Sequence, residues 1–168
     1  MAGITQSLVL LKNLKQTLPL AAGKKSIAII GPHANASKTL VGNYLGELCP
    51  GGDRDYSCVA SLYDGIQRGN KGSKTTMALT GLTTDSKSEV QAALAAASAA
   101  DVLVLAMGID QAIEGESHDR TDIDLPANQH ELIGQLAALG KPIVLLLFNG
   151  GMVAVEAEKA VSDLPFNI

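Results

Sequence analysis

Three short runs constrain this chain more than anything else in it: Ser26 to Gly31 (SIAIIG), Asp101 to Met107 (DVLVLAM) and Ile143 to Phe148 (IVLLLF). Each is apolar at nearly every position, so an extended segment would have to hide both of its faces. Such runs suit strands of a parallel sheet covered on both sides. Thr75 to Thr80 (TTMALT) reads as a weaker fourth strand. Helical stretches separate them. Val59 to Arg68 stops at Gly69, and an alanine-rich segment from Ser86 to Ala100 has Asp85 as its expected N-cap. Pro126 opens a third, where its missing N–H costs nothing, and Gly140 closes it. Strands alternating with helices predict an α/β fold: a three-layer sandwich around a mostly parallel sheet, doubly wound and flavodoxin-like.

The two ends read differently. Ile4 to Lys12 is apolar on a helix-like face, and Val153 to Val161 begins another helix. Leu164 to Ile168 (LPFNI) starts what reads as one more strand, so the domain is expected to be truncated at its C-terminus. With 168 residues the chain suits a single domain with a real core. At 46% hydrophobic and 18% charged it is too apolar for a disordered chain. No run approaches the ~18 apolar residues of a membrane span, so a soluble protein with no membrane contact is expected. A net charge of -4 without a basic stripe argues against a nucleic-acid partner. No signal peptide is visible, and the compartment stays open. Cys49 and Cys58 are too far apart for a metal-binding CxxC pair. They read either as a small disulfide loop or as two free thiols. Neither metal nor cofactor is expected.

In an open parallel sheet, ligands gather in the loops leaving the carboxyl ends of the strands. The loop at Gly31 to Thr39 (GPHANASKT) lacks the second glycine of a phosphate-binding loop and fails as a nucleotide site. The loop at 108–126, GIDQAIEGESHDRTDIDLP, is the richest, carrying six carboxylates with His118 and Arg120. A carboxylic acid near apolar surface can serve as a general acid, and clustered carboxylates can hold a hard cation. The spacing matches no calcium-loop template, and a solvated acidic loop with Asp119 and Arg120 paired is the plainer alternative. His33, His118 and His130 are individually weak candidates.

At these residues the sequence resembles glycoside hydrolase family 3, specifically its second, α/β-sandwich domain. The likeness runs through SLVLLKN from Ser7, LPL, SIAIIGPHAN from Ser26 and GNYLG from Gly42. It continues through GIDQAIEGESHDR, LP with Gln129, and FNGG from Phe148 to Gly151. The fungal and plant β-xylosidase-like and β-glucosidase-like branches are the most similar, partly through Cys49. The resemblance implies that this domain lends a general acid/base glutamate to a retaining β-glycosidase acting on terminal β-linked glucosyl or xylosyl units. Glu114 fits that glutamate best, with Glu116 as runner-up; Asp119 and Arg120 would shape the loop. It also implies an aspartate nucleophile on an N-terminal TIM-like barrel that this chain does not contain. Residues 1–23 would then be a linker leading out of that barrel, and 24–168 the sandwich domain, inactive without its partner. The alternative is a stand-alone carbohydrate-binding or interaction module, disfavoured by an aromatic content of 3% and no Trp. A truncated sheet edge would favour self-association, and family members are often secreted, vacuolar or periplasmic.

Overall fold

The structure is a computed structural model that describes residues 8–13, 16–42 and 46–160 and the backbone of 166–167. The strands are β1 (Ile27–Ile30), β2 (Thr75–Ala78), β3 (Val102–Gly108), β4 (Ile143–Phe148) and β5 (Phe166–Asn167), and the helices α1 (Leu62–Gly69), α2 (Lys87–Ser98), α3 (Ala127–Ala137) and α4 (Glu156–Ala160). The strands form one sheet in the order β2-β1-β3-β4-β5, with every pairing parallel. The expected mostly parallel sheet is thus wholly parallel where it is described. This order is the flavodoxin-like one, whose direction of winding reverses between β1 and β3.

Alternation along the strands explains the two-sided burial. Ala28, Ile30, Leu103, Leu105, Met107, Ile143 and Leu145 point to one face, where α2 and α3 cover them with Ala93, Ala97, Leu132, Ile133 and Leu136. Ile27, Ile29, Val104, Ala106 and Val144 point to the other, under Leu62, Tyr63 and Ile66 of α1 and under Leu18 and Leu20. Residues expected as a leading linker therefore supply two side chains to the lower core. All seven residues of β3 are buried, as a central strand covered on both sides requires.

Two sequence expectations shift locally. The N-cap of α2 is Ser86, not Asp85, because Ser86 and Glu89 close a reciprocal capping box. Asp85 instead accepts the Gly81 N–H at 2.8 Å. Leu8–Asn13 contains no helix; the rest of the helix expected over Ile4 to Lys12 lies outside the described residues. At the other end of α2, Lys141 Nζ donates to the carbonyls of Ala97, Ser98 and Ala100 at 2.8, 2.6 and 2.5 Å. The last carbonyls of a helix lack the full set of partners found in its interior, and a cation suits the negative end of its dipole.

Cys49 and Cys58 are joined in a disulfide, closing a loop across a separation of nine residues. The choice left open by the sequence is settled by their approach across a Gly/Pro-rich turn. Closing so short a loop restricts the unfolded chain modestly. Replacing both cysteines by serine is therefore expected to lower stability by about 2–3 kcal/mol in urea unfolding while leaving far-UV circular dichroism unchanged.

Candidate functional site

The reversal of winding between β1 and β3 places their two exit loops side by side, and a glycine at each exit makes this approach feasible. Gly31 and Gly108 both have φ of +132°. A Cβ on Gly31 would lie 2.3 Å from the Ala106 carbonyl oxygen, and one on Gly108 would lie 2.0 Å from that of Phe148. No side chain fits at either position.

Beyond Gly108 the backbone leaves the sheet, and its polar groups need new partners. Gln129, at 1% exposure, supplies them. Its Oε1 accepts the Gly108 N–H, and its Nε2 donates to the carbonyls of Gly108 and Leu82, all at 2.8 Å. Ile109 N–H then reaches the Phe148 carbonyl at 2.8 Å. Asp110 folds the next turn: its carboxylate accepts the Ala112 N–H at 2.8 Å, and its carbonyl accepts those of Ile113 and Glu114 at 3.0 Å. Gly115 and His118 exchange two backbone hydrogen bonds of 3.0 Å, putting Glu116 and Ser117 at the tip of a tight hairpin. Asp122 caps the N–H of Asp124 at 3.1 Å, and Ala154 N–H ties Ile123 to the loop after β4 at 2.8 Å. Two of the loop's carboxylates therefore bind its own backbone. Among the described residues no group of three or more His, Cys, Asp or Glu side chains is placed to hold a metal ion.

Glu114 is the carboxylate that this framework holds in place. Its Oε2 is buried 2.7 Å from Arg120 Nε, with the side chains 35% and 10% exposed. Among the described residues no N–H is aimed at that oxygen, so the contact is an ion pair without an aligned hydrogen bond. Arg120 also donates a long 3.4 Å bond to the Asp124 carbonyl. Gly151 closes the third side, where a Cβ would sit 2.6 Å from Glu114 Oε2. The carboxylate lines a cavity of about 190 Å³ walled by Arg120, Ile123 and Met152. Both apolar walls are open to solvent, Ile123 at 43% and Met152 at 69%. A larger polar cleft of about 380 Å³ lies between Lys38, Tyr56 and Gln111 and is lined by no glutamate among the described residues.

The structure separates the other candidates. Glu116 and His118 are exposed, as is Asp119, which has no ion pair among the described residues. The expected Asp119–Arg120 pair is thus replaced by Glu114–Arg120, because the Gly115–His118 bridge folds the chain back and brings Arg120 to Glu114. His130 lies on α3 and pairs through Nδ1 with the buried Glu158 of α4, at 2.5 Å.

His33, which the sequence left among weak candidates, is 2% exposed and lies in the loop leaving β1. Its ring sits 5.2 Å from that of Phe148. Burial lowers its pKa from the ordinary 6.5; the Asp110 charge and a hydrogen bond to the Gly108 backbone act in the opposite direction. Its place straight after Gly-Pro at a strand's carboxyl end was the available signal. Gly151 and Met152, brought in by the loop after β4, carried none beyond the FNGG run.

The model of the glycosyl hydrolase family 3 C-terminal domain matches residues 8–163. The chain belongs to that family. It is 46% identical to a probable exo-1,4-beta-xylosidase of Neosartorya fischeri over 148 residues, which are 88% of this chain and 18% of that protein. It is 35% identical to beta-D-xylosidase 1 of Arabidopsis thaliana over 92% of this chain and 19% of the relative. The chain therefore spans about 18% of the length of the curated relatives it matches. Among solved structures, a family 3 exo-beta-xylosidase, XlnD, in complex with a xylobiose aziridine probe superposes with a TM-score of 0.78 at 40% identity. That match covers 95% of this chain and 20% of the xylosidase. A beta-glucosidase from Listeria innocua in complex with isofagomine gives 0.75 at 28% identity, covering 92% and 20%.

The Gln129 clamp is directly testable in this family 3 domain. Gln129→Leu keeps the volume but strands the buried Gly108 N–H and takes one donor each from the Gly108 and Leu82 carbonyls. A loss of about 2–4 kcal/mol in urea unfolding is expected. Arg120 is 10% exposed and the Glu114 oxygen it faces is buried, so Arg120→Ala, which leaves that oxygen without its counter-charge, is expected to cost about 1–3 kcal/mol by the same measurement.

Proposed function

We propose that this chain is the second domain of a retaining β-glycosidase of the β-xylosidase or β-glucosidase type, and that it supplies Glu114 as the general acid/base. The carrying observation is the placement of Glu114. It is a half-buried carboxylate at the point where the sheet's winding reverses, open to a cavity and held between Arg120 and Gly151. Glu116, at the tip of an exposed hairpin, has no such framework.

In a retaining mechanism one carboxylate attacks the anomeric carbon, and a second, about 5–5.5 Å away, first protonates the departing oxygen and then deprotonates water. Glu114 takes the second role, with its proton going to the glycosidic oxygen in the first half and returning from water in the second. Arg120 offsets the negative charge that Glu114 carries between the two steps. The nucleophile and the sugar-holding residues belong to the remainder of the polypeptide, expected to be a TIM-like barrel. An exposed apolar run supports such a partner surface: Leu8, Val9, Leu10 and Leu11 are 71%, 76%, 62% and 59% exposed. The likeness to xylosidases at 46% and 40% identity favours a terminal β-linked xylosyl unit.

The test is Glu114→Gln in the complete polypeptide. With an alkyl or sugar leaving group, kcat/KM is expected to fall about 10²–10⁴-fold. With an activated aryl glycoside the first step needs no proton, and azide, which needs no base, should restore turnover as a glycosyl azide. Glu116→Gln should stay within threefold of the parent, about 0.7 kcal/mol in the barrier. A reversal of the two results would transfer the role to Glu116, and two unaffected variants would defeat the reading altogether. A second test uses Gly151→Ala, whose added methyl meets the movable end of Glu114 rather than backbone. It should leave the melting temperature nearly unchanged yet reduce kcat about 10–100-fold, the cost of a misplaced catalytic group.

A further inference from the structure

The root of the Glu114 loop is held from below by a residue that the mechanism above does not use. The backbone N–H groups of Ile113 and Glu114 both depend on the Asp110 carbonyl, so the setting of residue 110 fixes where Glu114 begins. Beneath that turn lies His33. Its backbone N–H is bonded to the Ala106 carbonyl at 3.1 Å, its ring rests on Phe148 of β4, and the ring hydrogen-bonds the Gly108 backbone. Its Nε2 is buried and, among the described residues, has no hydrogen-bond partner.

We propose that His33 is a positioning residue for Glu114: its neutral ring, wedged between Phe148 and the turn at Gly108 to Asp110, sets the root from which the acid/base loop springs. The proposal rests on the assignment of Glu114 made above. A neutral imidazole has one N–H and one lone pair. The Gly108 bond satisfies the first, and an unpaired lone pair is tolerated better than an unpaired donor. Protonation would add a charge and a second N–H at Nε2, where no acceptor waits. Among the described residues, Asp110 is the titratable group on the surrounding loops whose charge acts on the ring; β3 and β4 present Ala106, Gly108 and Phe148. Charging His33 therefore either expels the ring or draws Asp110 toward it, and both movements pull on the backbone carrying Glu114.

The linkage has a definite sign. The fold favours neutral His33, so as pH falls below about 6.5 the unfolded chain takes up its proton first. Stability contributed by this residue is complete above 6.5 and declines as pH falls toward the lower folded value.

The experiment is a pH titration of this chain by ¹⁵N NMR, with the His33 resonances identified by their loss in His33→Gln. His33 is expected to be neutral at pH 7 and to titrate below 6.5. The amide resonances of Ile113, Glu114 and Gly115 should shift with the same midpoint, and this transition should vanish in His33→Gln. The wild-type titration decides the matter even if the variant folds poorly. Titration at or above 6.5, or loop amides that ignore it, overturns the proposal. In the complete polypeptide, His33→Gln is expected to lower kcat about tenfold or more with KM within threefold, and to remove an ionisation from the acid limb of kcat. An unchanged acid limb also overturns it. An active Glu114→Gln enzyme alongside intact NMR coupling would instead remove the acid/base assignment and leave the His33–loop coupling standing.

Discussion

A central parallel strand has to end somewhere, and its end is where the hydrogen-bonding pattern of the sheet fails. In this domain the Gln129 carboxamide takes over at that point, holding both polar groups of Gly108 and reaching across to Leu82. One buried side chain thereby joins the end of β3, the start of α3 and the segment after β2. Apolar residues could not perform this task, because the buried backbone groups would remain unpaired. Everything in the loop beyond Gly108 takes its direction from that junction.

From there the loop is built mostly from its own backbone. Asp110 and Asp122 each bind an amide two residues on, the short bridge between Gly115 and His118 folds the tip, and Ala154 anchors Ile123. This use of carboxylates keeps Asp110 and Asp122 turned to the loop's own backbone. It also explains why one carboxylate differs from the rest. Glu114 follows the Asp110 turn by a single helical step, so its side chain returns over the loop and meets Arg120 and Gly151. Glu116, two residues on, has already passed into the hairpin tip.

Most of the architecture was legible because burial on both faces leaves a direct trace in composition. IVLLLF over Ile143 to Phe148 admitted no other reading, and β4 has those same bounds. Propensity was less informative where a polar contact decided the outcome. Asp85 and Ser86 are both good caps, and Glu89 selects Ser86 by completing the box. Arg120 has Asp119 beside it in sequence yet Glu114 beside it in space, a choice made by the hairpin. The acidic loop was visible as a candidate, and the family likeness singled out Glu114 within it. His33 was not visible in this role. A histidine after Gly-Pro gains meaning only once β1 and β3 are neighbours and Asp110 lies above it.

On the proposed reading, a division of labour between two domains follows from the same geometry. A general acid/base must be placed to within a fraction of an ångström, and a loop is ordinarily the least rigid part of a fold. Here the loop is secured at both ends, at Gly108 by Gln129 and at Ile123 by Ala154, before any partner arrives. On the proposed reading, the domain therefore delivers a glutamate whose position is set by its own sheet, and docking has only to bring two rigid bodies into register. The exposed Ile123 and Met152 beside that glutamate are what such a docked site would cover or present to the leaving group. Retention of configuration needs two carboxylates at a fixed separation, and two independently rigid scaffolds can hold that separation as well as one, provided their interface is stiff.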